Sequence, residues 1–296
     1  MKLTYTTAEG TVYSYTADEE GTATITSIDP CSGELRVPER LGEDVIVSVI
    51  GRKCCLGAGR LLAVDLPRSI KIVDDWAFAG CRRLKRVGMP RAALGTGVFQ
   101  DCEHLRAVEL TNTEDEDATL LLAALSQRKD AAYLTDLKEA GTEEWYRRID
   151  VWLEKLLETS DQEGYSGQVP CGEEDYGSSD VGAYESGRRR EKCELALLRL
   201  LCPRRLSEQL KERLRAYAVA HTAGSEQGEE CWQVILQKHP EERAWYEMFV
   251  QIGGITEANR DRILRQIPEE YVELKSCMIN AGGPPEGGSF LAGLEL

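Results

Sequence analysis

Residues able to do chemistry are few in this chain, and their spacing serves none of the common sites. Three histidines, His104, His221 and His239, stand among 296 residues. None belongs to an H-E-x-x-H pair, the spacing that sets two imidazoles on one helix face as zinc ligands. Ten cysteines suggest a disulfide or metal set, yet no C-x-x-C occurs and the nearest neighbours are the adjacent Cys54 and Cys55. They read as small apolar core residues with free thiols. Gly57-Ala58-Gly59 and Gly95-Thr96-Gly97 are incomplete phosphate-loop look-alikes at places where a turn wants glycine, and Gly164-Tyr165-Ser166-Gly167 lacks the G-x-S-x-G spacing of a nucleophile elbow. No catalytic residue, metal ligand or cofactor is therefore assigned, and a small-molecule ligand finds no support.

Charge narrows the partner classes further. The net charge is −15, and its distribution is uneven. Residues 1–113, 114–187 and 188–296 carry net charges of −1, −13 and −1. Phosphate backbones need a basic surface, so nucleic acid is not expected. No run of about eighteen apolar residues would span a membrane, and Met1 to Thr7 does not begin a secretory signal. The expectation is a cytoplasmic chain. Asp175 to Asp180, with Tyr176 and Tyr184 nearby, is either an acidic motif for a basic partner or a solvated linker. Arg188-Arg189-Arg190 either docks an anion or neutralises the acidic stretch before it.

Elements that could position a binding surface come from an internal repeat. Cys55 to Pro67, Phe78 to Pro90 and Phe99 to Leu110 align on F-x-x-C-x-x-L-x-x-V-x-L-P, and Leu61, Leu84 and Leu105 recur at intervals of 23 and 21 residues. A worn earlier copy runs through Leu35-Arg36-Val37-Pro38 and Val45 to Gly51. One such coil cannot bury its own leucines, but stacked coils cover each apolar position with its counterpart in the next. The Phe and Cys positions then form ladders on the opposite wall, and Pro67 and Pro90 end the strands.

This unit, with its lead-in Val47-Ser48-Val49-Ile50-Gly51, resembles the BspA-like leucine-rich repeats of bacterial and protist proteins. The resemblance covers about residues 30–110 and implies a short-coil solenoid engaged in protein binding or adhesion. Members are often secreted or surface-anchored.

The fold expected is α+β in two parts. Residues 1–29 form a β-meander cap, 30–112 the solenoid, 113–283 an α-helical domain with a flexible acidic loop at 159–187, and 284–296 a loose tail. Between Lys155 and Arg188 there is no lysine or arginine, which marks that loop. Helical stripes are read at Leu120-Leu121-Leu125, across Ala131 to Ala140, and at Tyr146-Ile149-Leu153-Leu156 behind a Thr142 cap. They resume from Arg188, with Ser207 and Thr256 opening later helices. The joints at Gly141-Thr142-Glu143 and Gly254-Ile255-Thr256-Glu257 are compatible with a helical repeat or with an irregular bundle. Trp145, Trp152, Trp232 and Trp245 lie on apolar stripes, as core or as a partner groove.

Within L-x-x-V-x-L, residues between buried positions project outward. That selects Asp65, Lys85, Arg86, Arg106 and Glu109 as a mixed-charge face for a protein partner. The alternatives are a solenoid serving only as a cap or docking wall for the helices, a surface-binding protein if exported, and an enzyme housed in the helical half.

Overall fold

The computed structural model describes residues 2–165, 181–225, 228–271, 274–276 and 278. Two compact units divide the chain, the first comprising Met1–Trp152 with Cys202–Leu206 and the second Leu153–Leu201 with Ser207–Leu296.

In the first unit, β1 (Leu3–Thr6), β2 (Val12–Ala17) and β3 (Thr22–Asp29) form an antiparallel meander. Alternation of buried Tyr13 and Tyr15 with half-buried Val12 and Ser14 puts one face of it on the core. β3 then pairs in parallel with β6 (Val45–Ile50), which carries the meander into the solenoid. The short β5 (Arg40–Leu41) lies antiparallel to β6.

Each coil contributes a strand to two walls. On one wall run β6, β8 (Ile72–Val73) and β10 (Ala93–Leu94), all parallel. On the other run β4 (Ser32–Arg36), β7 (Arg60–Asp65), β9 (Arg86–Met89) and β11 (Ala107–Leu110), again parallel. The L-x-x-V-x-L segment builds the second wall, with Leu61, Leu84 and Leu105 and also Val64, Val87 and Val108 buried in register. Burying a side chain of this size contributes about 1.5–3 kcal/mol each, and stacking repeats that gain coil by coil. Phe78 and Phe99 stack at 5.9 Å between ring centroids. The Cys81 thiol donates to the Cys55 carbonyl at 3.1 Å and that of Cys102 to the Phe78 carbonyl at 3.2 Å. Burial pushes both thiols up, to about 11 and about 12, so these cysteines are inert packing with a weak donor. At the coil corner, Gly57, Gly80 and Asp101 occupy the same left-handed position, with φ of 69°, 71° and 58°. Glycine meets that conformation at no steric cost, and aspartate tolerates it.

The last strand does not end in solvent. Asp115 caps α1 (Glu116–Ser126) by accepting from the Ala118 amide at 3.2 Å, and α1 lies against β11. Its buried Leu121, Leu122 and Leu125 cover the end of the coil stack, where an uncovered solenoid would expose core and strand edges. The Arg91 guanidinium donates to the carbonyls of Leu137 at 2.5 Å and Ala140 at 3.0 Å.

Ala131 to Ala140 is not the helix that its apolar residues suggest. It holds one 3-10 turn, Ala132–Leu134, followed by turns. Ala131, Leu134, Leu137 and Ala140 are all buried, and their strict three-residue spacing suits a three-fold winding rather than one of 3.6. The Asp136 carboxylate also takes the Lys138 amide at 3.0 Å, a local bond that competes with helix. α2 (Glu143–Glu158) then opens with the Trp145 amide donating to the Thr142 hydroxyl at 3.2 Å.

The second unit packs α3 (Val181–Leu201) against α4 (Glu208–Ala220), α5 (Glu230–Lys238) and α6 (Arg243–Gln251), with α7 (Arg260–Gln266) following. Its core gathers Trp232, with Phe249 tilted against it at 5.2 Å and Tyr246 edge-on at 6.0 Å. Ser207 caps α4 through the Leu210 amide. Two expected starts move. Helix resumes at Val181, seven residues before Arg188, so residues 181–187 belong to α3 rather than to an acidic loop. Thr256 does not open a helix directly: its amide donates to Asn259 Oδ1 at 2.7 Å, and α7 begins at Arg260. The two glycine–threonine joints are thus built differently. Most of the acidic loop, Asp175 to Asp180 included, and the 284–296 tail lie outside the described residues.

Candidate binding groove

The outward face of the second wall is set by the strand register. One row across the sheet reads Ala63, Arg86, Ala107, and the next reads Arg36, Asp65, Gly88, Glu109. Gly88 leaves a gap between two carboxylates, and the long Arg86 side chain fills it from the neighbouring row. Its Nη1 donates to Asp65 Oδ1 at 2.8 Å and to Glu109 Oε2 at 2.9 Å, and its Nη2 donates to Asp65 Oδ2 at 3.1 Å. A Cβ at position 88 would stand 2.6 Å from Asp65 Oδ1 and 3.3 Å from Arg86 Nη1, so the bridge requires glycine there. The bonds to Asp65 and Glu109 hold the guanidinium well above the ordinary arginine range, against the opposing pull of burial. Arg36 approaches Asp65 from the other side at 3.8 Å, with its side chain 84% exposed, and so adds little.

Beyond this row the C-terminal ends of β7, β9 and β11 meet the segment that leads into α1, and between them lies a groove of about 880 Å3. Asp65, Gly88 and Glu109 form one side of it, and Thr113 to Glu116 with Thr119 and Leu120 form the other. Leu120 is an exposed large hydrophobic residue at 38%. Five carboxylates border the groove, Asp65, Glu109, Glu114, Asp115 and Glu116; the Arg86 guanidinium lies between the first two and that of Arg204 faces Asp115.

Asp115 is committed to structure. Besides capping α1, it accepts the Tyr146 hydroxyl at 2.8 Å and faces the Arg204 guanidinium at 3.4 Å. Burial, helped by this bond, raises the Tyr146 phenol far above its ordinary value. Glu114 and Glu116 are exposed, and among the described residues no ion pair reaches either.

Of the five residues selected on the strand face, Asp65, Arg86 and Glu109 are brought together in one ion-paired cluster across two neighbouring rows. Lys85 lies exposed one residue before β9, and the Arg106 guanidinium turns to the Glu103 carbonyl at 3.1 Å; neither borders the groove. Sequence reasoning missed Thr113, Glu114 and Glu116. Gly88, at an outward strand position, marks the close approach of Arg86 and Asp65 and gives no sign of these three. The groove's second side is contributed by α1, which the repeat pattern does not contain.

A second hollow, of about 720 Å3, is lined within the single stretch 261–275 by both acidic and basic side chains. Among the described residues no group of His, Cys, Asp and Glu is arranged to hold a metal ion. No helix among them is long and apolar enough to cross a membrane. His104 is exposed, and His221 and His239 sit at the C-terminal caps of α4 and α5.

No protein-family model and no curated protein matches the chain. Solved structures do show likeness. A leucine rich cell surface protein from Faecalibacterium prausnitzii is 22% identical, with a TM-score of 0.32, over 37% of this chain and 32% of that one. A leucine-rich repeat protein from Bacteroides capillosus is 23% identical, with a TM-score of 0.30, over 34% of this chain and 83% of that one. The leucine rich repeat protein of T. pallidum is 20% identical, with a TM-score of 0.29, over 34% and 58%. The matched part thus spans about a third of the length of the first of these. The stacked coils described above make about a third of this chain a β-solenoid in their own right, with the recurring leucines buried in register.

Proposed function

We propose that the solenoid is a protein-binding module and that the groove at the ends of β7, β9 and β11 is where a partner segment sits. The observation carrying this reading is the groove itself, a concavity whose strand side is fixed by coil stacking and whose other side is fixed by the capped start of α1. Its volume lies within the roughly 300–1,000 Å3 typical of ligand sites, and a rigid scaffold with one loop-built side is a common way to present such a site. Asp65 and Glu109 belong to it directly, with Arg86 as the bridge between them.

A selection from a random displayed peptide library tests the reading, run against the full chain and against Thr113→Trp, which fills the groove. Sequences enriched on the parent and lost on the filled variant support it. If every enriched sequence survives the filling, the groove is not the site.

A second reading is favoured by the way α1 lies on β11 and by the Arg91 bonds to Leu137 and Ala140. There the solenoid acts as a docking wall for the helical segments of its own unit. Both readings hold together if the segments that complete the solenoid's end also build the groove.

A further inference from the structure

In the early coils, sulfur takes the place of the aromatic ladder. Phe78 and Phe99 stack in the later coils, and the position they share is held one coil earlier by Cys55. Around it lie Cys54 on the same turn, Cys81 from the next coil and Cys31 from the coil before. The Cys81 thiol donates to the Cys55 carbonyl at 3.1 Å. The register of β4 on β7 sets Ser32 opposite Arg60, so Cys31 enters this wall beside the turn that Cys55 begins. The side chains of Cys31 and Cys55 are hydrogen-bonded, and so are those of Cys55 and Cys54. Tyr13 of the meander, 1% exposed, lies by the group.

These four thiols differ in access. Cys54, Cys55 and Cys81 are buried, whereas Cys31 is half-buried and meets solvent. β4, which Cys31 precedes, is the outer strand of its wall, and β7 is its partner. A strand at the open end of a coil stack is the first to fray.

We propose that Cys31 and Cys55 form a modification site, at which a small-molecule disulfide oxidises them to a cross-link that fastens the outer coil to the next. The Cys31 sulfur, deprotonated, attacks one sulfur of the small disulfide, whose S–S bond breaks and releases a first thiol that takes up the proton. The Cys55 sulfur then attacks Cys31 Sγ, gives up its own proton and expels the second thiol. Two protein thiols are oxidised, and one disulfide is reduced to two thiols. Cys31 is the entry point because it meets solvent, and Cys55 resolves because its side chain already touches that of Cys31. Neighbouring strands lie about 4.8 Å apart, within the roughly 4.4–6.8 Å that a disulfide spans between Cα atoms, so the coils stay in place. The bond with Cys55 and burial push the Cys31 thiol far up. At Cys55 the bond with Cys31 pulls the other way, but the bond with Cys54 and burial outweigh it. Both thiols therefore rest protonated at neutral pH, and closure is slow.

The full chain, equilibrated in glutathione buffers from reduced to oxidised, is blocked with maleimide and its tryptic peptides are sequenced by mass spectrometry. Residues 3–36 should be linked to residues 54–60 within one chain, with fragmentation placing the bond on Cys55. The Val37 amide donates to the Asp65 carbonyl at 3.0 Å and ties the outer coil to the next. Its hydrogen exchange should slow about tenfold on oxidation and recover with dithiothreitol. Cys31→Ala, at the accessible member, should abolish both effects, and Cys54→Ala should leave both in place. Maleimide on both cysteines after the most oxidising buffer would overturn the proposal, as would glutathione held on Cys31 with Cys55 free. A bond from Cys31 to Cys54, or a link found only between two chains, would overturn it too. The expected cross-link with unchanged Val37 exchange would refute its role as a fastener.

Discussion

Replacing Arg86 by methionine is the sharpest single perturbation of this face. Methionine keeps an unbranched apolar stem in the row between Ala63 and Ala107 and deletes only the guanidinium. Asp65 and Glu109 are then left flanking Gly88 with no cation between them. The side chains of Arg86, Asp65 and Glu109 are 34%, 38% and 49% exposed, so bare Coulomb energies are heavily screened. Exposed pairs of this kind are worth about 0.2–1 kcal/mol, with bidentate geometry at the upper end. Two pairs, one of them bidentate, together stabilise the β7–β9–β11 face by about 1–2 kcal/mol. At 1.4 kcal/mol per factor of ten, amide exchange at Leu66 and Thr111, which donate to the carbonyls of Gly88 and Met89, should accelerate by about 5- to 30-fold. Hydrogen exchange is the suitable assay because the chain has two compact units, and a global melt would mix them. The difference should shrink greatly in about 1 M salt, where the screening length falls to about 3 Å. Arg86→Lys should lie between, since an ammonium lacks the fork. Exchange rates unchanged at low salt, or changed equally at high salt, would refute the account of Arg86 as an electrostatic bridge.

Other outcomes follow from the same geometry. Phe78→Ala removes a fully buried ring stacked on Phe99 and should cost about 3–5 kcal/mol, read as loss of the first unit's cooperative unfolding in urea. Arg91→Ala strands the carbonyls of Leu137 and Ala140; a loss of about 1–3 kcal/mol is expected, with faster exchange confined to residues near 134–142. In the second unit, burial alone would raise the Glu194 carboxyl, but His239 and Lys238 beside it win and hold it at about 2, below its ordinary 4.5. A depressed folded value means that its stabilisation is complete above about pH 4.5 and fades as the pH falls toward 2. The stability gap between the parent and Glu194→Gln should therefore close over that window, and a gap that widens on acidification would contradict the pairing.

Much of this molecule is legible from residue order. The coils announce themselves because each buried position must be covered by its counterpart one turn later, which forces Leu61, Leu84 and Leu105 into a visible period. The Phe78–Phe99 ladder and the buried cysteines follow from the same stacking. The caps by Thr142 and Ser207 are legible because an N-cap bond spans only three residues. Local pattern failed where a short-range competitor intervened, as at Asp136 and Asn259, whose side chains bond the backbone and break or delay a helix.

What the tertiary structure alone decided is which outward residues meet and what else meets them. Asp65, Arg86 and Glu109 lie 21 and 23 residues apart in sequence, and only strand register puts Gly88 between the carboxylates, so that a charge from one row fills a gap in the next. The repeat identified the strand face, but the groove also needs α1, which carries no repeat signal. Its buried cap Asp115 is held by Tyr146 and by Arg204, a residue from the 202–206 segment that rejoins the first unit after α3. Periodicity reports what a residue does to its own strand or helix. A site assembled from elements with unrelated periods leaves no such trace, because the contacts that build it are set by packing across the sheet and not by spacing along the chain.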